Sequence, residues 1–153
     1  MALNTAQRDC PQPLASVSLA DHVAARIAAA NFYSLAVDRY FEAFNRHDFE
    51  AVANLFTSEG MLLPPFEDVV QGRAAIAAYL QQEAEGMCAK PRRALIEAES
   101  DLETVIRVEG NVQALVFNVN VRWTFILDPH EHIRSVEVEL LASLQELLKL
   151  RRN

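Results

Sequence analysis

The pattern that most constrains this chain is an alternation of apolar and polar side chains over residues 117–127. Every second residue from Phe117 to Leu127 is apolar, and Trp123, the only tryptophan of the chain, belongs to this apolar set. A period of two is typical of a strand with one buried face. We therefore expect Trp123 to point from a sheet into an apolar interior, where its indole N–H needs an acceptor.

The size and charge of the chain exclude several classes of protein. Its 153 residues suit one domain with a substantial core, which we expect over 20–153 after a flexible tail over 1–19. The net charge of −7 argues against a nucleic-acid partner, since phosphates require a basic surface. Neither a signal peptide nor a membrane-spanning apolar run is recognisable, which predicts a cytoplasmic protein.

Few residues offer thiol or metal chemistry. Cys10 and Cys88 show no zinc-site spacing, and free thiols are the default expectation, with an inter-chain disulfide through Cys88 as the alternative. His130 and His132 alternate in a predicted surface turn without a cysteine partner, so we expect no metal site there.

The helices are predicted mainly in the first half of the chain. A short helix over 22–30 precedes a strongly periodic one over 31–45, and two more follow over 49–56 and 73–86. A capping box at Ser143 and Glu146 begins a final helix over 143–152, whose leucine face fits either packing or a detachable lid.

The strands are predicted mainly in the second half. A turn over 57–60 leads into a short strand over 60–63, and alternating stretches follow Pro91. Those stretches lie at about 93–99, 102–117, 119–127 and 132–141. Helices followed by an antiparallel meander predict an α+β fold, in which one curved sheet wraps over the helices and encloses a cavity.

Tyr40 is the most informative companion of Trp123. It lies on the apolar face of the helix over 31–45, and its hydroxyl also needs a partner. From the residues alone two interpretations stay open. Spacing favours two ordinary core residues, whereas two donors in an apolar pocket would suit the carbonyl oxygen of a hydrophobic ligand.

No catalytic motif is recognisable in the chain. It has no glycine-rich phosphate loop, no nucleophile elbow and no zinc-protease motif. Glu137 and Glu139 alternate with Val136 and Val138 in the last predicted strand, so we expect both carboxylates to face outward.

Two segments of the chain carry a family resemblance. They read YFEAFNRHDFEAVANLFTSEGMLLPPFEDVVQGRAAIAAYL over residues 40–80 and WTFILDPHEHIRSVEVELLASLQELLKLRR over residues 123–152. In this order they resemble the C-terminal domain of the cyanobacterial orange carotenoid protein family, across roughly residues 31–152. The resemblance implies a nuclear-transport-factor-2-like cone, shared with ketosteroid isomerase, in a stand-alone homologue of that domain.

The resemblance also implies a ligand and its site. In that family a tyrosine and a tryptophan hydrogen-bond the keto oxygen of a ketocarotenoid such as canthaxanthin or echinenone, and these correspond to Tyr40 and Trp123. Further apolar lining positions correspond to Phe44, Met87, Phe125 and Val138. One departure lies at residues 114–117, where the family often has a tryptophan and this chain has Ala-Leu-Val-Phe, followed by a shorter turn.

The leading hypothesis is therefore a carotenoid carrier without catalytic residues. Half of the polyene would protrude from so small a domain, and exposed polyene is costly in water, which predicts a homodimer that shares one pigment. The hypothesis includes pigment transfer to a helical carotenoid-binding domain or to apo orange carotenoid protein. It also includes transient membrane contact for uptake and quenching of singlet oxygen.

Two other hypotheses are kept. A ketosteroid-isomerase-like enzyme would use Tyr40 and Trp123 as oxyanion donors and would need Asp38, Glu83 or His47 in the cavity as a base. A non-catalytic dimerisation module would instead have a filled core, with no room for a ring beside Trp123.

Overall fold

The structure is a computed structural model that describes residues 34–141. Within this range the chain forms two helices, two strands, a third helix and then four strands. The helices are α1 (Leu35–Asn45), α2 (Phe49–Asn54) and α3 (Arg73–Glu83), and the strands are β1 (Phe56–Leu63), β2 (Val70–Gln71), β3 (Cys88–Glu99), β4 (Thr104–Gln113), β5 (Asn118–Leu127) and β6 (Ile133–Leu141). The predicted tail over 1–19 and the predicted helices over 22–30 and 143–152 lie outside the described residues.

All six strands belong to one sheet, in the order β2-β1-β6-β5-β4-β3. The strands β3 to β6 form an antiparallel meander, whereas β1 runs parallel to β6. In this register Trp123 lies opposite Val108 on one side and Val138 on the other. The mixed, curved sheet confirms the predicted α+β architecture.

Helix α1 supplies the layer that packs on the sheet around Trp123. Its start is fixed by Ser34, whose hydroxyl accepts a hydrogen bond from the backbone N–H of Val37 at 3.2 Å. One face of the helix is buried, as the periodicity predicted, and it carries Ala36, Val37, Tyr40, Phe41, Ala43 and Phe44. Most of the hydrophobic core therefore lies between this face and β4, β5 and β6.

Several elements differ from the sequence prediction. Helix α2 ends at residue 54 instead of 56, α3 ends at 83 instead of 86, β3 begins at 88 instead of 93, and the short strand β2 was not predicted. Two further differences have a structural reason. The predicted turn over 57–60 is part of β1. The pairing of β1 with β6 shifts in register between Phe56 and Met61, and this irregularity accommodates the polar residues 57–59 within the strand. A side chain at Gly60 would meet Phe56 Cβ at 2.8 Å, so this glycine serves close packing rather than a turn. The strand predicted over 102–117 ends at Gln113, because residues 114–117 close a turn through an Ala114 N–H···O Phe117 bond of 2.8 Å.

Cys88, at the start of β3, is disulfide-bonded, so the expectation of a free thiol is wrong. Sequence spacing does not reveal which thiols a fold brings within bonding distance, since that depends on the separation of their Cα atoms in space. Cys10 lies outside the described residues.

No helix within residues 34–141 has the length and apolar character needed to cross a membrane.

The outer edge of β3 is covered at its start by a side chain of α1. The Asn45 amide donates to the carbonyl oxygen of Ala89 at 2.8 Å and accepts from the N–H of Ala89 at 2.7 Å. Asn45 thus takes the place of a neighbouring strand, at a residue that is 2% exposed. The pair of bonds fixes the end of α1 against the sheet.

Substitution Asn45→Ala should lower the free energy of unfolding by about 2 kcal/mol, because it leaves two buried backbone groups of Ala89 without partners. Urea unfolding followed by circular dichroism measures the loss. The matched control is Asn54→Ala at the exposed end of α2, which should change stability by less than about 0.5 kcal/mol. Equal losses for the two variants would contradict this role of Asn45.

Candidate functional site

A cavity of about 390 Å³ opens between the sheet and the helices. Its lining is mostly aliphatic and aromatic, and Glu67 and Glu83 are the only charged residues that the described part of the chain contributes to it. The apolar lining residues besides Tyr40 and Trp123 are Phe44, Leu62, Pro64, Pro65, Leu80, Ala84, Met87, Val112, Phe117, Val119, Val121, Val138 and Leu140. Volume and lining are typical of a small-molecule pocket.

Tyr40 and Trp123 form the buried end of this cavity. They are 2% and 3% exposed, and both line the same space. Within residues 34–141 neither the Tyr40 hydroxyl nor the Trp123 indole N–H has a hydrogen-bond partner, yet neither atom is sealed off from the cavity. Burial raises the pKa of Tyr40 well above its ordinary value, so the phenol keeps its proton and stays a donor.

The orientation of both donors is fixed by edge-to-face aromatic contacts. The ring of Phe41 meets Trp123 at a centroid distance of 4.9 Å, and the ring of Phe125 meets Tyr40 at 5.1 Å. Such contacts stabilise by about 0.5–1.5 kcal/mol beyond burial and restrict ring orientation. The periodicity of α1 places Phe41 on the buried face beside Tyr40, but its contact with Trp123 was not predicted from the sequence.

The structure brings five of the six predicted site residues to the cavity. These are Tyr40, Phe44, Met87, Trp123 and Val138. Phe125 shares the inward face of β5 but does not line the cavity, because Tyr40 and Phe41 pack over it. Of the lining residues not singled out from the sequence, Val119 and Val121 belong to the same alternation as Trp123 and could have been found from it.

The rim of the cavity is polar and more exposed. Tyr79 of α3 donates its hydroxyl proton to Glu67 Oε2 at 2.7 Å, across the mouth from the helix to the loop after β1. Burial raises the pKa of Tyr79, as do the hydrogen bond to Glu67 and the nearby charges of Glu67 and Glu83. The Glu83 side chain lies one turn beyond Tyr79 and is exposed.

The three candidate bases differ in their positions. Glu83 lines the cavity, whereas Asp38 and His47 do not. The His47 ring forms a hydrogen bond of 3.0 Å with the carbonyl oxygen of Met87 and so holds the segment before β3. Glu137 and Glu139 are exposed on the outer face of β6, as predicted.

Two loops beside the mouth expose large apolar side chains. At the tip of the β4–β5 hairpin Leu115 and Val116 are 100% and 88% exposed, and the adjacent Phe117 lines the cavity. Phe66 follows the lining residues Pro64 and Pro65, and is 93% exposed. The hairpin tip at residues 114–117 is the region in which the sequence departs from the resemblance.

Comparison with known proteins places this architecture in a family. The SnoaL-like domain family matches residues 37–135. The orange carotenoid-binding protein of Synechocystis sp. is 35% identical over 117 residues, which cover 74% of this chain and 37% of that protein. The chain therefore spans less than two fifths of the length of this relative.

Solved structures agree with the sequence comparison. The orange carotenoid protein of Anabaena (Nostoc) sp. PCC 7120, binding canthaxanthin, superposes with a TM-score of 0.69 at 32% identity, over 76% of this chain and 39% of that one. The epoxide hydrolase/cyclase-like enzyme SalBIII has a TM-score of 0.55 at 22% identity over 72% of this chain and 90% of that one, which shows a shared fold alone. The chain belongs to the SnoaL-like family, has the nuclear-transport-factor-2-like fold expected from its sequence, and is a homologue of the C-terminal domain of the orange carotenoid protein.

Proposed function

We propose that this protein is a ketocarotenoid carrier, not an enzyme, and that it holds one ring of the pigment in the cavity. The observation that carries the proposal is the pair of buried donors, Tyr40 and Trp123, which line an apolar space without a hydrogen-bond partner among the described residues. A keto oxygen accepts two hydrogen bonds and satisfies both. The canthaxanthin bound by the Anabaena relative supports this ligand class.

The apolar lining would hold the ring and the first part of the polyene. Phe44, Met87 and Val138 lie around the donors, and their contacts supply affinity without hydrogen bonds. A cavity of about 390 Å³ would accommodate one end of a carotenoid, about twenty carbon atoms, and would leave the other end outside.

A second protomer would cover the protruding end. The exposed side chains of Phe66, Leu115 and Val116 lie beside the mouth and would contact either the polyene or the partner. A homodimer sharing one pigment therefore belongs to the proposal. The proposal also includes a cytoplasmic location and brief membrane contact for pigment uptake. The pigment would be transferred to a helical carotenoid-binding domain or to apo orange carotenoid protein, and it would quench singlet oxygen.

Substitutions Tyr40→Phe and Trp123→Phe should each weaken canthaxanthin binding about fivefold to tenfold, because each removes one hydrogen bond to the keto oxygen. Binding of β-carotene, which has the same length but no keto group, should change far less. Visible absorption during titration of the purified chain with each pigment measures both affinities.

Comparing canthaxanthin with β-carotene separates the loss of a hydrogen bond from damage to the packing of the pocket. A variant that binds canthaxanthin and β-carotene more weakly by the same factor has a damaged pocket. If both single variants behave in this way, the donor role of Tyr40 and Trp123 is refuted. A wild-type protein that stays colourless in cells producing canthaxanthin would refute the carrier proposal as a whole.

The proposed dimer depends on the apolar mouth. Substitution Leu115→Glu should shift the pigment-loaded protein from dimer toward monomer, since it places a charge where the partner would pack. Leu102→Glu is the matched control, because Leu102 is 71% exposed in the β3–β4 turn and does not line the cavity. Light scattering after size-exclusion chromatography gives the masses. A loaded wild-type monomer would contradict the shared-pigment arrangement.

A second candidate is an isomerase of the ketosteroid type, and the position of Glu83 in the cavity lining favours it. The carboxylate is exposed, however, whereas the two donors are buried, so the carrier is better supported. The ultraviolet absorbance of a conjugated product from a β,γ-unsaturated ketosteroid tests this candidate. Turnover that is abolished by Glu83→Gln would establish it.

A further inference from the structure

The two ends of the cavity have opposite hydrogen-bonding character. At the buried end Tyr40 and Trp123 present an O–H and an N–H, which are donors. At the rim the side chains that can hydrogen-bond are Glu67, Tyr79 and Glu83. A ligand that fills the cavity lengthwise therefore has one end beside the two donors and the other end beside the rim residues.

The rim offers acceptors only. The Tyr79 proton is committed to Glu67 Oε2 at 2.7 Å, which leaves the lone pairs of the Tyr79 oxygen and the second oxygen of Glu67. Glu83 has no hydrogen-bond or ion-pair partner among residues 34–141, so both of its oxygens can accept. No lysine, arginine or histidine of the described chain lines the cavity to neutralise these carboxylates. The rim therefore favours a neutral donor and disfavours an anion.

The volume limits the length of a ligand that spans both ends. About 390 Å³ lies near the lower end of the range of small-molecule pockets, and holds a ligand of about twenty carbon atoms. The part of a full-length carotenoid that would pass the rim is bare polyene. It has no hydrogen-bond donor for the rim carboxylates.

We infer that the cavity also accepts, as a whole molecule, a keto-ringed apocarotenoid with a terminal hydroxyl group. Its ring ketone accepts from Tyr40 and Trp123, and its hydroxyl donates to Glu67 or Glu83. The inference rests on the proposed anchoring of a keto ring, and it adds a second ligand class that needs no second protomer. The corresponding carboxylate would bind more weakly, because its negative charge would lie beside the carboxylates of Glu67 and Glu83.

The test is titration of the purified full chain with 4-oxoretinol, whose ring is that of canthaxanthin and whose chain is about half as long. Because Trp123 is the only tryptophan, quenching of its fluorescence reports occupancy of the site itself. We expect saturation at one ligand per chain. The methyl ether should bind about tenfold more weakly, since it lacks the donor for the rim, and 4-oxoretinoic acid should bind more weakly than the alcohol by at least as much.

The double variant Glu67→Gln plus Glu83→Gln keeps side-chain size and removes both charges. It should bind the acid at least tenfold more tightly than the wild type does, a gain that a merely structural role of the rim would not produce. The control Glu59→Gln removes an exposed carboxylate of β1 that does not line the cavity, and should leave the acid-to-alcohol ratio unchanged. Matching urea midpoints show that the variants fold alike.

Each outcome decides the inference. Equal wild-type affinities for alcohol, ether and acid, or an unchanged ratio in the double variant, would overturn it. A protein that becomes coloured with canthaxanthin but is not quenched by 4-oxoretinol would also overturn it, and would leave the proposed carrier function intact. Saturable binding of the alcohol without any canthaxanthin binding would uphold the second ligand class and remove the carrier proposal.

Discussion

The edge-to-face contact of Phe41 with Trp123 joins the helix that carries one buried donor to the strand that carries the other. At 4.9 Å between ring centroids it leaves little freedom for α1 to slide along the sheet, and the contact of Phe125 with Tyr40 at 5.1 Å limits rotation at the same level. The two donors consequently face one space without bonding to each other. Both the carrier and the isomerase considered for this chain depend on that arrangement.

A second set of contacts holds the end of α1 and the start of β3 together. Asn45 bonds both backbone groups of Ala89, and His47 bonds the carbonyl oxygen of Met87, whose side chain lines the cavity. These polar contacts lie where the sheet has an open edge, so they satisfy backbone groups that would otherwise face the core unpaired. The cavity wall at Met87 is thus anchored by bonds from the side chains of Asn45 and His47 to the backbone of β3 and of the segment before it.

The sequence predicted the features that follow from local periodicity. The buried faces of α1 and β5, the inward direction of Trp123 and the outward direction of Glu137 and Glu139 all follow from spacings of 3.6 or 2.0 residues. The parallel pairing of β1 with β6 and the disulfide state of Cys88 could not be predicted, because both depend on chain segments brought together only by the fold. The resemblance implied that Phe125 lines the cavity, whereas Tyr40 and Phe41 cover it, a packing detail that neither the resemblance nor the periodicity contains.

The sparse polarity of the buried end is compatible with the proposed carrier role, in which the protein would have to release its ligand. Two hydrogen bonds to a ketone contribute about 1 kcal/mol each, enough to orient the ring and to discriminate against a hydrocarbon end. Most of the affinity would come from apolar contact, and an acceptor protein with its own apolar site recovers that contribution when the pigment moves. A charged or metal-based anchor at Tyr40 would bind more tightly and would oppose transfer. In the inferred second ligand class, the exposed carboxylates of Glu67 and Glu83 would add selectivity for a terminal donor.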